Sequence, residues 1–470
     1  MTKRILGAGS GLLAAAAGVG AGSAVAALLS GTVSPVVSVG NAVIDATPGA
    51  VKDWAVETFG ENDKTVLLSS VFVVIGVLAA GVGAVGVTRR RTALGIATVL
   101  GLLALAAAFM DRTLFVDVWV AVLPAVVTLI VTVGVFALLL SALAGTAGAH
   151  TAEKAPPGFD RRRFLAVALG AGVVAAGGGL ISRVYGSLEA AASRMGVRIP
   201  KPSDPVRPVP KGVQVDVPGV SPYITGNDEF YRVDTALQIP DVPAENWQLR
   251  IHGLVDDEVT LSFAELLDRR LIERRITLTC VSNQVGGDLV GNATWIGVST
   301  KELLADIGID PSADAVLSTS ADDMTIGTPI GALTDDREAM LAIAMNGEPL
   351  PFEHGFPVRM VVPGLYGFVS ATKWLVDMEV TRFRDISAYW TDRDWSEEAP
   401  IKTSSRIDVP RSFQSVPADS VHVAGMAWAQ TEGITKVEVR IDDGEWQQVD
   451  LAPADTVNTW RQWSWKWQNA

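Results

Sequence analysis

Five apolar runs constrain the first 185 residues of the chain more than any other feature, each close to the ~20 residues a helix needs to cross a bilayer. They cover residues 5–29, 66–87, 93–110, 116–144 and 164–182. Lys3 and Arg4 precede the first run, Arg89, Arg90 and Arg91 join the second to the third, and Arg161, Arg162 and Arg163 precede the fifth. The intervening connections, residues 41–64 and 111–117, are mostly acidic. Clustered arginines mark the cytoplasmic side, so five spans carry the remainder of the chain out of the cell. Reading the first run as a cleaved signal peptide leaves that parity unchanged.

Charge divides the chain at the same place. Residues 1–185 carry a net +4, whereas residues 186–470 carry −17 and eleven of the thirteen tryptophans. The second part therefore reads as ordinary acidic globular protein, which excludes disorder and collagen. A surface of that sign is a poor partner for nucleic acid. One cysteine, Cys280, allows neither an internal disulfide nor a cysteine-built zinc site.

The apolar part reads as an all-α bundle serving as an anchor. No charged residue falls in the middle of a run, where one would mark an ion or proton path. The four histidines (His150, His252, His354 and His422) all lie outside the runs, so no haem on paired membrane histidines is expected from this chain. Gly81, Gly83, Gly86 and Gly177–Gly179 suit close helix packing. Arg161-Arg-Arg-Phe-Leu165 resembles a twin-arginine export signal, which carries proteins across already folded; the same arginines also satisfy the positive-inside rule alone.

Seven prolines between 198 and 222 predict an extended, semi-rigid spacer. Beyond it, alternation predicts strands over 247–255, 275–280, 358–362 and 374–381, helices over 262–267 and 300–307, and a strand or short helix over 339–345. That mixture implies an α+β domain. From residue 420 the pattern is all-β (422–430, 435–441, a turn at 442–444, 446–451 and 460–467), the rhythm of an immunoglobulin-like sandwich left incomplete at its C-terminus. The expected division is an anchor over 1–185, a linker over 186–222, a catalytic domain over 223–395 and the sandwich over 396–470.

Cys280 ends a predicted strand and opens Cys-Val-Ser-Asn-Gln-Val-Gly-Gly-Asp-Leu-Val-Gly-Asn-Ala-Thr-Trp295, with Gly286, Gly287 and Gly291 able to bring backbone amides close to a large anion. A lone cysteine is commonly a small buried hydrophobe; at a strand end feeding a glycine-rich loop it also suits a soft metal. The run 280–298 resembles the molybdenum-binding segment of the sulfite oxidase family of molybdopterin oxidoreductases. The run from Met345 to Gly364, and Lys373-Trp-Leu375 after it, resemble the same family. The resemblance covers roughly 223–470 and extends to the five-span anchor of membrane-bound members.

The resemblance implies molybdenum on one molybdopterin (pyranopterin dithiolene), ligated by the Cys280 thiolate, with Asn283, His354, Arg359, Thr372 and Lys373 as cofactor contacts. Phe230-Tyr-Arg-Val-Asp-Thr235 occupies the place of a family Arg-Asn-His segment, so Arg232, Asp234 and Thr235 are either cofactor contacts or a structural strand start. Asp322 is either a family acidic contact or an ordinary loop residue. Arg393 and Trp395 fall where sulfite-oxidising members place an arginine and a tyrosine over the reacting group, and an indole cannot supply the phenol's hydrogen bond. The implied reaction is oxygen-atom transfer, with sulfite disfavoured against a small S- or N-oxide, oxidised methionine included. With no haem domain, electrons would pass to or from a separate carrier, a cytochrome or a quinone-linked protein. A homodimer through 410–470 is likewise implied. The opposing reading is a non-catalytic scaffold on the same fold.

Overall fold

The computed structural model describes residues 2–29, 32–48, 51, 54–55, 58–59, 63–111, 117–144, 159–417 and 420–468; of the segment 183–190 it describes the backbone only. His150 and parts of the two acidic connections lie outside the described residues. The chain divides into two units, Met1–Ala192 with Ala236–Asp241, and Ser193–Thr235 with Val242–Ala470.

The first unit is helical: α1 (Thr2–Leu28), α2 (Pro35–Ala46), α3 (Asp63–Gly86), α4 (Arg90–Met110), α5 (Val118–Ala121), α6 (Leu123–Ala144) and α7 (Arg161–Gly196), of which α7 runs on past the unit's end. Among the described residues, five segments are long and apolar enough to cross a membrane: Lys3–Leu28, Lys64–Gly86, Arg90–Met110, Val118–Ala144 and Arg161–Ser182. Glycines set how closely α1 meets its neighbours. A Cβ on Gly11 would lie 1.9 Å from the Ala79 carbonyl oxygen, and one on Gly18 would lie 1.8 Å from Thr132 Oγ1. Small residues let helix backbones approach this closely. Ala14, Ala93, Phe136, Leu139, Leu140 and Phe164 form the buried core, while Val73, Val77, Leu103, Ile130 and Leu169 are exposed.

Two boundaries differ from expectation. The connection expected over 41–64 contains the second half of α2, which Ser34 caps by accepting the Val37 amide at 3.4 Å, with Pro35 opening the helix. The fifth helix does not stop near 182–185 but continues to Gly196, because its Leu188-Glu-Ala-Ala-Ala192 run favours helix and no proline intervenes.

In the second unit, β1 (Gln248–Gly253), β2 (Val259–Ser262), β5 (Ala315–Ser320), β6 (Thr325–Pro329) and β10 (Leu375–Thr381) form a sheet in the order β2-β1-β10-β5-β6, parallel only between β1 and β10. A second sheet orders β3 (Leu271–Thr279), β4 (Val290–Ser299), β7 (Met340–Met345) and β8 (Glu348–Pro349), with β9 (Arg359–Val361) also pairing β7. Short helices α8 (Phe263–Leu267), α9 (Thr300–Ile307) and α10 (Ile330–Thr334) connect strands. Ser262 and Ser299 cap α8 and α9, each accepting the amide of a glutamate three residues on. The ambiguous stretch 339–345 is a strand; β7 is buried at every position and so lacks alternation.

Residues from 404 onward add a four-stranded antiparallel sheet, β11 (Ser404–Val409), β12 (Ser420–Trp428), β16 (Arg461–Gln468) and β15 (Asp450–Leu451) in that order, and a ribbon of β13 (Glu438–Val439) and β14 (Gln447–Gln448). The strands expected at 435–441 and 446–451 shrink to two-residue pieces.

The proline-rich segment is extended as expected, yet it is not a free spacer. Asp204 bridges to Ile272, the Ser203 amide donates to the Leu271 carbonyl at 2.9 Å, and the Val206 amide donates to Glu273 Oε2 at 3.1 Å. Farther on, the Val215 amide donates to Gln462 Oε1 at 2.8 Å. The segment therefore straps the outer edge of β3, which would otherwise present unpaired backbone groups.

Candidate active site

The site begins where β3 ends. The last rung of the β3–β4 ladder pairs Thr279 with Val290, and the ten residues between them form a self-bonded loop. Cys280 donates its amide to the Leu289 carbonyl (3.0 Å), the Asn283 amide to the Cys280 carbonyl (3.1 Å), and the Leu289 amide to Asn283 Oδ1 (2.9 Å). Gly286 has φ +76°, and a Cβ on Gly287 would come within 2.7 Å of Asn283 Oδ1. Cys280 is half-buried in consequence. Burial pushes its thiol pKa up, and the amides of Ser282 and Val281 only partly oppose this, so a cation is needed to hold the thiolate.

A second segment brings up the basic groups. His354 ends a single helical turn (Phe352–His354), Gly355 follows at φ +108°, and β9 then presents Arg359. A Cβ on Gly355 would lie 3.0–3.1 Å from Arg359 Cβ and from Lys373 Cα and Cβ, so the missing side chain is what lets these three positions converge. His354 is 2% exposed, and its Nε2 lies 2.9 Å from the Asn227 carbonyl oxygen. A carbonyl only accepts, so Nε2 carries the hydrogen and Nδ1 the free lone pair. Burial, with Arg359 adding to it, lowers the histidine to about 4. The imidazole is neutral at pH 7.

Arg359 is 5% exposed, lies 5.2 Å from the Trp295 ring centroid, and donates to the His354 carbonyl (3.2 Å) and the Met360 carbonyl (3.4 Å). Its Nη2 finds no acceptor among the described residues. Desolvation lowers its pKa to about 10, opposed only by Tyr231. Lys373 Nζ donates to Asp234 Oδ2 at 2.6 Å and to the Glu353 carbonyl at 3.0 Å, over the Trp374 ring at 4.6 Å. Burial brings Lys373 down to about 8 against the pull of Asp234, with Arg359 and Arg232 adding like-charge repulsion.

Asp234 is the hinge of this cluster, since Arg232 also holds it through two bonds of 2.7 and 3.2 Å. Asp322, which accepts from the Ser320 hydroxyl, feels both Asp234 and Lys373, and burial raises its pKa. Thr372 sits beside Lys373, but its hydroxyl is engaged with Ser318 Oγ at 2.6 Å. Thr235 follows Asp234 and makes no side-chain hydrogen bond among the described residues.

Arg393 and Trp395 stand apart from this group. Arg393 stacks on Tyr389, 3.6 Å from the ring centroid, and donates to the carbonyl of the same residue. Trp395 packs between Trp390 (4.4 Å) and Phe368 (4.8 Å). Phe368 lines a cleft of about 550 Å³ with Val281, Tyr366, Ile401, Glu398 and Glu432. Trp395 thus backs a cleft wall beside the residue that follows Cys280.

Sequence reasoning missed Tyr231. Its phenol feels both the Cys280 thiol and the Arg359 guanidinium, and burial pushes its pKa up. Phe230 stacks on Tyr231 (5.2 Å), meets the Trp295 and His354 rings edge-on (5.7 and 5.5 Å), and covers Gly291, whose Cβ would lie 2.6 Å from the Phe230 ring. An aromatic pair in an irregular segment carries no spacing signal, so nothing in the sequence distinguished it from core.

The donor set fits an anionic group bearing a soft metal. A buried guanidinium with a free Nη2 and a buried ammonium suit a phosphate, and Tyr231, which feels both Arg359 and the Cys280 thiol, links the thiol to them. Among the described residues no cluster of three or more His, Cys, Asp or Glu could hold a metal ion, so a metal at Cys280 would take its other ligands from the cofactor.

Comparison with known proteins agrees with that chemistry. Residues 236–390 match the oxidoreductase molybdopterin-binding domain. Human mitochondrial sulfite oxidase is 28% identical over 288 residues, 52% of this chain and 52% of that protein. The oxidoreductase YuiH of Bacillus subtilis (strain 168), itself uncharacterized, is 33% identical over 150 residues, 31% of this chain and 73% of YuiH. Among solved structures, the sulfane dehydrogenase SoxCD of Paracoccus pantotrophus aligns with a TM-score of 0.44 at 22% identity, covering 50% of this chain and 66% of that one. The chain spans about half the length of the curated sulfite oxidases it matches. With nearly three-quarters of YuiH covered and the molybdopterin-binding domain matched across Cys280, His354, Arg359 and Lys373, the chain belongs to the sulfite oxidase family of molybdopterin oxidoreductases.

Proposed function

We propose that this chain is a membrane-anchored molybdenum oxidoreductase, its catalytic domain outside the cytoplasm, that moves an oxygen atom to or from a small S- or N-centred substrate while two electrons pass the opposite way. Arg359 carries the reading: a buried guanidinium with no carboxylate partner among the described residues, in electrostatic reach of Tyr231 and Lys373, with Tyr231 in turn beside Cys280. A scaffold would have no reason to retain so costly a group.

When bound, a molybdenum–molybdopterin group supplies two-electron oxygen-atom transfer. Cys280 would ligate its metal, and Asn283 closes the loop that holds Cys280. Arg359 and Lys373 would meet the phosphate, with Arg232 and Asp234 holding Lys373 in position. His354 offers Nδ1 as an acceptor because its hydrogen is committed to Asn227. Tyr231, in electrostatic reach of both thiol and guanidinium, would line the same side of the bound group. The cleft beside Val281 favours an organic oxide over sulfite, because Phe368, Tyr366 and Ile401 supply apolar contact while two carboxylates, Glu398 and Glu432, outnumber the one cation, Lys402, in its lining. Oxidised methionine belongs to that class.

The anchoring part of the proposal is supported by five helices of spanning length and the apolar side chains on their outer surface. The arginine clusters at 89–91 and 161–163 support the extracytoplasmic orientation. The C-terminal sheets are read as part of an immunoglobulin-like sandwich serving homodimer contacts. The electron partner is read as a separate cytochrome or quinone-linked carrier.

Metal and pterin analysis of purified protein tests the core of this reading. Wild type is expected to hold molybdenum that a Cys280→Ala variant of equal fold lacks. A folded wild type with no more molybdenum than that variant would overturn it.

A further inference from the structure

We infer that Arg406, on the C-terminal sheet, is a positioning residue for the loop that carries Cys280. The hydrogen bonds of the loop 280–289 otherwise close on themselves or run along the β3–β4 turn. Among the described residues, the side-chain hydrogen bond that reaches it from elsewhere in the fold comes from Arg406, whose Nη1 donates to the Gly287 carbonyl at 2.7 Å.

The arginine is itself fixed. Its Nε donates to Asp408 Oδ1 at 2.7 Å and its Nη2 to Ser221 Oγ at 3.2 Å, and the Arg406 and Asp408 side chains are only 9% and 5% exposed. Asp408 in turn accepts the Ser221 amide at 2.8 Å through its other oxygen. Strand β11 lies close against β12, pairing Arg406 with Met426 and Ile407 with Gly425, and a Cβ on Gly425 would lie 1.9 Å from the Arg406 carbonyl oxygen. Met426 and Trp428 of β12 pack with Val290, the first residue after the loop. On the other side Gln430 donates to the Thr277 carbonyl of β3 at 2.8 Å. The C-terminal sheet thus grips both strands that flank the loop, and Arg406 grips the loop between them.

The loop needs such a tether. Gly286 and Gly287 leave its backbone free to sample many conformations, and Val285 is fully exposed. A metal bound to one protein side chain inherits the disorder of the segment carrying it, so holding Gly287 holds Cys280. Only a planar guanidinium reaches three acceptors in fixed directions; an ammonium keeps the charge and loses the fork. The inference rests on Cys280 being the metal ligand, and its test separates the two claims.

The experiment compares the full-length wild type with Arg406→Lys and, as a milder change, Ser221→Ala. Hydrogen exchange of peptides covering 281–289 is read beside peptides of β12, and the Mo(V) electron paramagnetic resonance of the loaded protein is recorded. Loss of one charge-assisted hydrogen bond predicts exchange in the loop faster by roughly tenfold in Arg406→Lys, with β12 unchanged. The Mo(V) signal is expected to shift or broaden. Ser221→Ala should show the same pattern weakly. Unchanged loop exchange, or an equal rise in β12, overturns the positioning role. Should the wild type hold no molybdenum, the metal-ligand reading fails, while exchange still decides whether Arg406 holds the loop.

Discussion

Arg275 and Asp455 form an ion pair in which each side chain is only 4% exposed, joining β3 to the segment that leads into β16. Arg275 Nη2 lies 2.9 Å from Asp455 Oδ1 and also donates to the Arg207 carbonyl at 2.6 Å, while the Tyr223 hydroxyl donates to Asp455 Oδ2 at 2.9 Å. The strap, the strand that ends at Cys280 and the C-terminal sheet therefore meet at one carboxylate. Removing it strands a buried guanidinium and a phenol together. Asp455→Ala is expected to destabilise the second unit by about 3–5 kcal/mol, whereas the double change Arg275→Met/Asp455→Leu costs less than either single one. Thermal unfolding of wild type, Asp455→Ala, Arg275→Met, Asp455→Leu and the double variant checks this; additive losses would contradict it.

His354 makes the domain acid-sensitive. The unfolded imidazole takes its proton near 6.5, and the folded one, desolvated, only near 4. Between those values the unfolded chain binds more protons, so stability falls as pH drops from about 6.5 to about 4. At 1.36 kcal/mol per unit the loss approaches about 3 kcal/mol. His354→Gln should flatten the dependence of unfolding on pH across that window and leave it unchanged above pH 7. Parallel pH profiles for variant and wild type would remove the histidine from this role.

Gly355→Ala tests the convergence of the basic groups. Its φ of +108° is unfavourable for alanine, and the added methyl presses on Arg359 and Lys373. Strain of this kind costs on the order of 1–3 kcal/mol. The expected result is a lower melting temperature together with reduced molybdenum retention. Full retention at unchanged stability would show that the loop yields without moving either side chain.

Arg161–Arg163 form the first turn of α7, with Arg161 and Arg162 exposed and the Arg163 amide donating to Asp160 Oδ1 at 3.0 Å. On the proposed extracytoplasmic orientation, an exposed pair would be open to an export receptor. Replacing all three with lysine keeps the charge but removes the guanidinium. The triple variant should leave the second unit in the cytoplasm, protected from protease added to spheroplasts. Exposure equal to wild type would mean that the arginines serve topology alone.

Much of the helical unit was legible because length and apolarity are local properties. A run of some twenty apolar residues has few structures open to it, and four of the five expected spans end within a few residues of the helices observed. Helices α8 and α9 were legible for a similar reason, since a serine three residues ahead of a glutamate marks a helix start by itself. The site was half legible. Cys280, His354, Arg359 and Lys373 stand in long, distinctive runs, and three of these four are brought within electrostatic reach of one another, with Tyr231 linking them to Cys280.

What tertiary structure decided are pairings between residues far apart in the chain. Strand β4 hides in a glycine-rich run because its partners, β3 and β7, rather than its own propensities, make it a strand. The proline-rich segment becomes a strap because β3 leaves an edge to cover. Tyr231 acquires its place from Cys280 and Arg359, and Arg406 from a carbonyl 119 residues earlier. A tyrosine or arginine looks the same in sequence whether it faces water or closes on such a partner. The sequence by itself thus determined the bundle, the capped helices and the residues with unusual chemistry; only the fold decided which ordinary residues hold that chemistry in place, because burial and hydrogen-bond geometry exist only once distant segments have met.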